Sequence, residues 1–319
     1  MTLELLGVVL LLTGCYGFYR KSAQAPSAHE NPAEPSGEPS WVRHYQAHQL
    51  TMNQPLPPTF GDYTPTGILG EGAMATVYLA RTPQNQEVAL KLIREEMEGD
   101  AEFRQRFQRE IEISQTLNHP NVVEVYGAGA LHGHMFMAME WVRGTTLEKL
   151  LSFGPLPYLE FFPLARQMAQ VFHFAHQRNF LHRDIKPSNL MVTVQGKIKV
   201  LDFGLALQQG QSRFTSLGFS MGTPSHMAPE VLTTGQATIH SDQYALGIVF
   251  YQMLTGKCPF QARNPMELGL MHVTKEPPAI RKQRPEVGAE LESTVLRMLA
   301  KEPEKRFSAL GSVLEHLHP

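Results

Sequence analysis

The feature that most constrains this chain is a cluster of polar residues that is followed by a short predicted hairpin. Asp184, Lys186 and Asn189 lie close together, and the alternating run 197–201 then leads directly to Asp202. Such alternation is typical of a strand, which would return Asp202 to the cleft where the cluster begins. A base, a phosphate clamp and two oxygen ligands for a metal are the groups that phosphoryl transfer requires.

The overall composition sets broad limits on fold and partners. The chain has 319 residues, of which 42% are hydrophobic, so it can bury the core of one large domain or of two lobes. Its net charge is -2, which provides no basic field for nucleic acid. We therefore expect no nucleic-acid partner.

The first 21 residues are predicted to be a membrane anchor segment. Residues 5–19 are uncharged and mostly apolar, and Arg20 and Lys21 follow them. Basic residues on the C-terminal side predict that the bulk of the protein faces the cytoplasm. The stretch is short for a span, and Leu12 to Cys15 looks like a bacterial lipoprotein cleavage box, so a processed signal remains the alternative.

Residues 22–58 are predicted to be a disordered linker. They are rich in Pro, Ser, Ala and Glu, a composition that cannot offset the entropy cost of folding. The motif Trp41 to Tyr45 interrupts this composition and is a candidate for docking on a folded part of the chain. The sequence does not indicate where it would dock.

A glycine-rich turn and a lysine mark the predicted small lobe. Gly70 and Gly72 lie between two strand-like runs, where glycines allow the backbone to approach phosphates closely. Such a pair alone is more often an ordinary hairpin turn. Lys91 lies inside the apolar run 88–92, and a lysine in that setting is either paired or at an exposed strand edge.

The helix predicted after this strand favours the paired alternative. Phe103, Phe107, Ile111 and Leu117 form an apolar stripe, and Glu110 falls on the same face. A carboxylate on an inward face requires a cation, and Lys91 is the predicted partner.

The order of these motifs resembles the eukaryotic-type serine/threonine protein kinase family, in particular its membrane-tethered bacterial members. The resemblance covers roughly residues 62–318 and includes the motifs at 138–144 and 227–230. It implies an α+β, two-lobed protein kinase fold in residues 59–319. The β-rich N-lobe with one main helix would span 59–140, and the larger, mostly helical C-lobe would span 141–319.

The resemblance also implies roles for individual residues. The catalytic set would be Asp184 as the base, Lys186 on the transferred phosphoryl group, and Lys91 held by Glu110. Asn189 and Asp202 would bind Mg²⁺ or Mn²⁺, since both offer hard oxygen ligands. The residues expected around ATP are Leu69, Gly70, Gly72, Val77, Ala89, Lys91, Glu140, Val142 and Met191.

Further residues would regulate or brace the site in such a family. Arg183 implies activation by a phosphorylated residue, for which the candidates are Thr215, Ser216 and Ser220. Thr223 would contact Asp184 and Lys186 and select a hydroxyl-bearing acceptor, and His226 stands where many relatives have tyrosine. Glu230 with Arg306, and Asp242 beneath the catalytic loop, are expected to be structural.

The sequence thus predicts an ATP-dependent enzyme that phosphorylates Ser and Thr of proteins. It would be membrane-anchored with its kinase domain in the cytoplasm, activated by autophosphorylation, and able to form a homodimer for phosphorylation in trans. A pseudokinase scaffold that binds nucleotide without transfer is the main alternative. A kinase of small molecules is disfavoured by the peptide-platform motif at 222–230.

Overall fold

The computed structural model describes residues 38–44, 56–57, 59–72, 74–98, 104–105, 107–108, 111–112, 116–131, 134–202, 207–208 and 224–319. Within this set, Pro39–Pro319 form one compact unit. The predicted anchor at 1–21, most of the predicted linker, Glu110 and the candidate phosphorylation sites lie outside the described residues. No helix in the described part is both long and apolar enough to cross a membrane.

The small lobe is built on a five-stranded antiparallel sheet. Its strands are β1 (Thr64–Glu71), β2 (Ala75–Arg81), β3 (Glu87–Ile93), β4 (Val125–Leu131) and β5 (His134–Glu140), in the order β1-β2-β3-β5-β4. The turn between β2 and β3 uses Asn85, whose φ of 63° is one that asparagine tolerates better than most residues. Pairing on both sides of β3 places Lys91 in the centre of the sheet.

The two faces of β3 pack against different groups. Val88 and Leu90 are fully buried in a cluster with Phe60. On the opposite face, Phe107 and Ile111 pack with Ile93. The inward face predicted for the helix is therefore confirmed at Phe107 and Ile111, while Glu110 of the same stripe falls outside the described residues.

The large lobe is mainly helical. Its helices are α3 (Leu147–Leu151), α4 (Tyr158–His176), α5 (Pro229–Thr234), α6 (Ile239–Thr255), α7 (Pro265–Thr274), α8 (Ala289–Met298) and α9 (Leu310–Leu314), after the short α1 (Ser40–Arg43) and α2 (Glu95–Glu98). Helix α6 is the core element, with 13 of its 17 residues buried. A capping box of Thr238 and Ser241 begins it, and Gly256 at φ 75° ends it.

Short strands carry the polar motifs across the top of the large lobe. β6 (Gly144–Thr146), β8 (Leu190–Thr193) and β9 (Ile198–Val200) form one sheet, and β7 (Phe180–Leu181) pairs with β10 (Leu207–Gln208). β8 and β9 form the predicted hairpin, which turns at Gly196 with φ 71°. The two-lobed α+β fold predicted from the sequence is confirmed.

The motif at 41–45 begins with a helical turn inside the predicted linker. Helix α1 packs on the large lobe, where Trp41 joins the main hydrophobic cluster and is only 9% exposed. The described part of this motif therefore docks on the large lobe.

Candidate active site

The loop that carries the predicted base is held from below by one buried carboxylate. Asp242 lies in the first turn of α6, is 2% exposed, and accepts hydrogen bonds from the main-chain nitrogens of His182 (2.8 Å) and Arg183 (2.9 Å). His176 Nε2 lies 2.9 Å from the same carboxylate. These contacts hold Arg183 at φ 65°, a conformation that costs about 1–3 kcal/mol for a residue other than glycine.

Electrostatics reinforce this brace. Burial alone would raise the pKa of Asp242, but hydrogen bonding and charge from His176, together with His182 and the Arg183 amide, lower it overall. Burial is also the main cause that lowers the pKa of His182. A neutral His182 ring fits its contacts, since Nδ1 accepts from the Asp184 amide (3.3 Å) and Nε2 donates to the Leu201 carbonyl (3.2 Å).

The three polar side chains of the loop come together as predicted from their spacing. Lys186 Nζ lies 2.8 Å from Asp184 Oδ2. Asn189 Nδ2 donates to the main-chain carbonyl (2.8 Å) and the carboxylate (3.0 Å) of Asp184. A carboxylate held by an ammonium and an amide is fixed in orientation, which is what a group that aligns a hydroxyl requires.

The hairpin brings the second acid to the same place. Asp202 follows β9 at φ 50°, and its Oδ1 lies 2.8 Å from Lys91 Nζ of β3. The Leu201 amide donates to the Asn189 carbonyl (2.9 Å). Because Leu201 directly precedes Asp202, this bond links the backbones beside the two predicted metal ligands. Small and large lobes therefore meet at the Lys91–Asp202 pair.

The residues expected around ATP surround the junction of the lobes. Strand register places Val77, Ala89 and Lys91 on one face of the small-lobe sheet. Leu69 and Gly70 lie on β1, Met191 lies on β8, and Val142 is buried just after β5. Gly72 donates its amide to the Ala75 carbonyl at 2.9 Å, which closes the glycine-rich turn.

Glu140 has a contact that the sequence did not indicate. Its amide donates to the Glu124 carbonyl (2.8 Å), and its carboxylate pairs with Lys199 of β9 at 2.6 Å. The Glu140 amide is therefore occupied within the chain. The pair also ties the predicted hinge to the β8–β9 hairpin.

A buried ion pair anchors the segment that begins at Met227. The two Arg306 Nη atoms lie 2.8 Å from the two carboxylate oxygens of Glu230, and Arg306 also donates to three main-chain carbonyls. Ser241 adds a bond to Glu230 at 2.9 Å. The bracing roles predicted for Glu230, Arg306 and Asp242 are confirmed, whereas Thr223 lies outside the described residues.

The histidine at 226 is placed beside the base. Its ring is enclosed, and burial lowers its pKa to about 4, against an opposing effect of the nearby Asp184 carboxylate. Nδ1 lies 3.0 Å from Ser225 Oγ. The ring is therefore neutral at physiological pH.

The arrangement fits a divalent cation at Asn189 and Asp202. Asn189 uses its amide nitrogen for Asp184, so its oxygen is the side-chain atom that can coordinate. Asp202 supplies a carboxylate whose side chain is 46% exposed. Both are hard oxygen donors, as Mg²⁺ and Mn²⁺ prefer.

Comparison with known proteins agrees with this geometry. A family model described as a protein kinase domain matches residues 63–318. The chain is 36% identical over 249 residues to the serine/threonine-protein kinase PrkC of Bacillus subtilis, covering 77% of this chain and 38% of PrkC. It is 34% identical over 265 residues to PknB of Mycobacterium leprae, covering 81% and 43%. The chain thus spans less than half the length of these curated relatives.

A solved structure gives the same result for the fold. The kinase domain of Mycobacterium tuberculosis PknI superposes with a TM-score of 0.65 at 31% sequence identity, covering 82% of this chain and 98% of that chain. Residues 63–318, which the family model matches, contain each described residue of the site. The chain therefore belongs to the bacterial-type serine/threonine protein kinase family.

Proposed function

We propose that this chain transfers the γ-phosphoryl group of ATP to serine and threonine hydroxyls of proteins. The observation that carries the proposal is the convergence of Asp184, Lys186 and Asn189 on one braced loop, with Asp202 and Lys91 in contact across the lobes. Structural ion pairs alone would not require all five groups to meet at one cleft.

In this mechanism the protein mainly orients the reacting groups and neutralises the charge on the phosphates. Asp184, held by Asn189 and Lys186, aligns the acceptor hydroxyl and takes its proton late, because a carboxylate is too weak a base to ionise an alcohol beforehand. Lys186 balances charge on the transferred group. Lys91 holds the nucleotide phosphates, with Glu110 as its proposed second partner.

The glycine-rich turn is proposed to cover the phosphates. A β-carbon at Gly70 would meet no atom of the described residues within 4 Å, so packing among those residues does not require glycine there. Close approach of a ligand to the backbone does provide a reason. A cation at Asn189 and Asp202 would supply charge neutralisation of the phosphates when bound.

Regulation and location are further parts of the proposal. Arg183, next to the base, would clamp a phosphorylated Thr215, Ser216 or Ser220 and so couple activity to autophosphorylation. Residues 1–21 would anchor the chain to a membrane with the kinase domain in the cytoplasm. Two anchored copies could then phosphorylate each other in trans.

The test is transfer from labelled ATP by the full chain. With Mg²⁺ we expect label on the chain and on a generic Ser/Thr substrate, and we expect Asp184→Asn to reduce the rate by about 10²–10⁴-fold. Asp62→Asn makes the same chemical change at an exposed turn and should leave the rate unchanged. Nucleotide binding without any labelled product would instead identify a pseudokinase scaffold.

A further inference from the structure

The segment before the kinase domain is clamped to the large lobe at Ser40. The Ser40 amide donates to both carboxylate oxygens of Glu160, at 2.9 and 3.1 Å, and the Ser40 hydroxyl donates to the same carboxylate. Glu160 lies in the first turn of α4. Ser40 lies well before residue 63, where the match to the kinase family begins, whereas Glu160 lies within the matched range.

Trp41 lies directly on the turn of the β8–β9 hairpin. A β-carbon at Gly196 would be 2.8 Å from Cζ2 of Trp41, which is closer than real contacts allow, and 3.2 Å from Cε2. Gly196 is therefore required twice, once for its φ of 71° and once for the approach of the indole.

Neighbouring residues extend this contact across the lobe. The His44 ring stacks on Phe153 with a centroid distance of 4.0 Å and an interplanar angle of 9°. Val42 packs against the main hydrophobic cluster. The segment 40–44 thus packs into a specific docking site on the large lobe, which we call its seat.

The opposite end of this hairpin carries the two predicted metal ligands. Asn189 precedes β8 and Asp202 follows β9, and the bond from the Leu201 amide to the Asn189 carbonyl joins them. β8 has four residues, so the Trp41 contact is about 13 Å from the ligands at a rise of about 3.3 Å per residue. Within the hairpin, the three residue pairs of the β8–β9 register span that distance, with a bond from the Thr193 amide to the Lys197 carbonyl at the closed end.

A hairpin this short depends on what packs against it. At its closed end, Gln167 of α4 donates to the Gly196 carbonyl (2.9 Å) and accepts from the Ile198 amide (3.0 Å). Trp41 covers the same end from the outside. The closed end is therefore held by α4 together with the preceding segment, while β6 pairs with β8 and Val200 bonds to Asn121 and Val123 elsewhere in the hairpin.

We propose that Trp41 is a positioning residue for phosphoryl transfer. By fixing the closed end of the β8–β9 hairpin, it fixes where Asn189 and Asp202 stand at the open end. The inference rests on the proposed metal-binding role of those two residues. It adds that a residue outside the matched kinase domain sets the geometry of the cation site, with Glu160 as the anchor of its segment.

The first experiment tests the seat itself. The chain has two tryptophans, so Trp141→Phe leaves Trp41 as the single indole fluorophore. In the full chain carrying this change, Trp41 emission should be blue-shifted and protected from acrylamide. Adding Glu160→Gln should increase quenching. If the chain with Trp141→Phe alone shows the emission and quenching of a solvent-exposed indole, Trp41 does not pack against the large lobe and the inference is wrong.

The second experiment tests the coupling in the full chain. Trp41→Ala should speed hydrogen exchange of the hairpin amides at 190–201 and weaken Mn²⁺ binding, measured by electron paramagnetic resonance, by several-fold. It should raise the Mg²⁺ concentration for half-maximal phosphorylation to a similar degree without changing KM for an acceptor peptide. Trp41→Phe should restore most of each value, and Arg43→Gln, at an exposed position of the same segment, should change none of them.

The outcomes separate this inference from the proposed function. Unchanged Mn²⁺ binding and hairpin exchange in Trp41→Ala would overturn the coupling even if phosphorylation is normal. If the unaltered chain phosphorylates nothing but Trp41→Ala still weakens Mn²⁺ binding, the coupling stands and the proposed transfer activity is wrong.

Discussion

The two carboxylates at the centre of this molecule are held in opposite ways. Asp242 is 2% exposed and accepts from two main-chain amides and a histidine ring, all within the large lobe. The Asp202 side chain is 46% exposed and meets Lys91 across the lobes. The first acid fixes the loop of the base in one conformation, whereas the second can exchange its lysine for ligands. The comparison teaches that the loop of the base is held rigidly before substrate binds, whereas the site for phosphate and cation can adjust to its ligands.

The largest loss of stability should follow from removing Arg306, which braces the large lobe. Its side chain is fully buried and pairs with Glu230 through both Nη atoms, so Arg306→Ala leaves a carboxylate without its cation. We expect a loss of about 3–5 kcal/mol in the free energy of unfolding, measured by urea denaturation.

A neighbouring exposed pair provides the control for this change. Lys305 lies 3.1 Å from Glu302 at the surface, and Lys305→Ala should leave the free energy of unfolding almost unchanged. Equal losses in the two variants would contradict the view that burial of the Glu230–Arg306 pair determines its importance.

Asp242→Asn should have the next largest effect. The amide retains one acceptor oxygen but turns an NH₂ group toward a donor, so at least one bond to His182 or Arg183 is lost. We expect a loss of about 1.5–3 kcal/mol in unfolding free energy, the range for hydrogen bonds to charged groups, and a reduced rate of transfer. Calorimetry measures this loss, with Asp62→Asn as the control variant. If Asp242→Asn were as stable as the control, Asp242 would not be the brace of the loop.

The buried part of the large lobe also predicts a dependence on pH. His272 is fully buried, its Nδ1 lies 3.0 Å from the Tyr244 hydroxyl, and burial lowers its pKa to about 3. Below pH 6.5 the unfolded chain binds a proton at this position that the folded chain does not. Its contribution to stability is therefore complete above pH 6.5 and falls by up to about 1.4 kcal/mol per pH unit toward pH 3.

The measurement compares unfolding free energies at pH 6.5 and 4.5. His272→Asn keeps an acceptor in the position of Nδ1 but cannot titrate. Its stability should fall less steeply than that of the unaltered chain over this interval. Identical slopes would show that His272 does not contribute to acid sensitivity.

The smallest loss of stability is expected at the Lys91–Asp202 pair between the lobes. Lys91→Met removes the contact to Asp202, whose carboxylate can turn to water, so the unfolding free energy should change by less than about 1 kcal/mol. Transfer from ATP should nevertheless fall by at least about 10²-fold. A large loss of stability would place Lys91 among the structural residues and weaken the comparison.

Local sequence patterns predicted much of this structure. The alternation at 197–201 predicted the hairpin, and the apolar stripe predicted the buried positions of Phe107 and Ile111. The order of motifs predicted the two-lobed fold and the bracing by Asp242, Glu230 and Arg306. These features succeed because each depends on a short run with its own periodicity or on a motif recognised as a whole.

Contacts between distant parts of the chain could not be predicted in the same way. No local pattern indicates that the His176 ring holds Asp242, which lies 66 residues away. The pairing of Lys199 with Glu140 and the seat of Trp41 on Gly196 have the same character. Such contacts depend on how completed elements pack, and no local pattern in the sequence encodes that.

The bond between the Leu201 amide and the Asn189 carbonyl has a consequence for how this sequence can vary. It uses only main-chain atoms, so most side-chain replacements between the two ligands leave their spacing intact. Proline at 201 is the exception, since it has no amide hydrogen to donate. The hairpin can therefore accept substitutions at exposed positions such as Gln195 and Lys197, as long as glycine remains at its turn, without a change in the main-chain distance between Asn189 and Asp202.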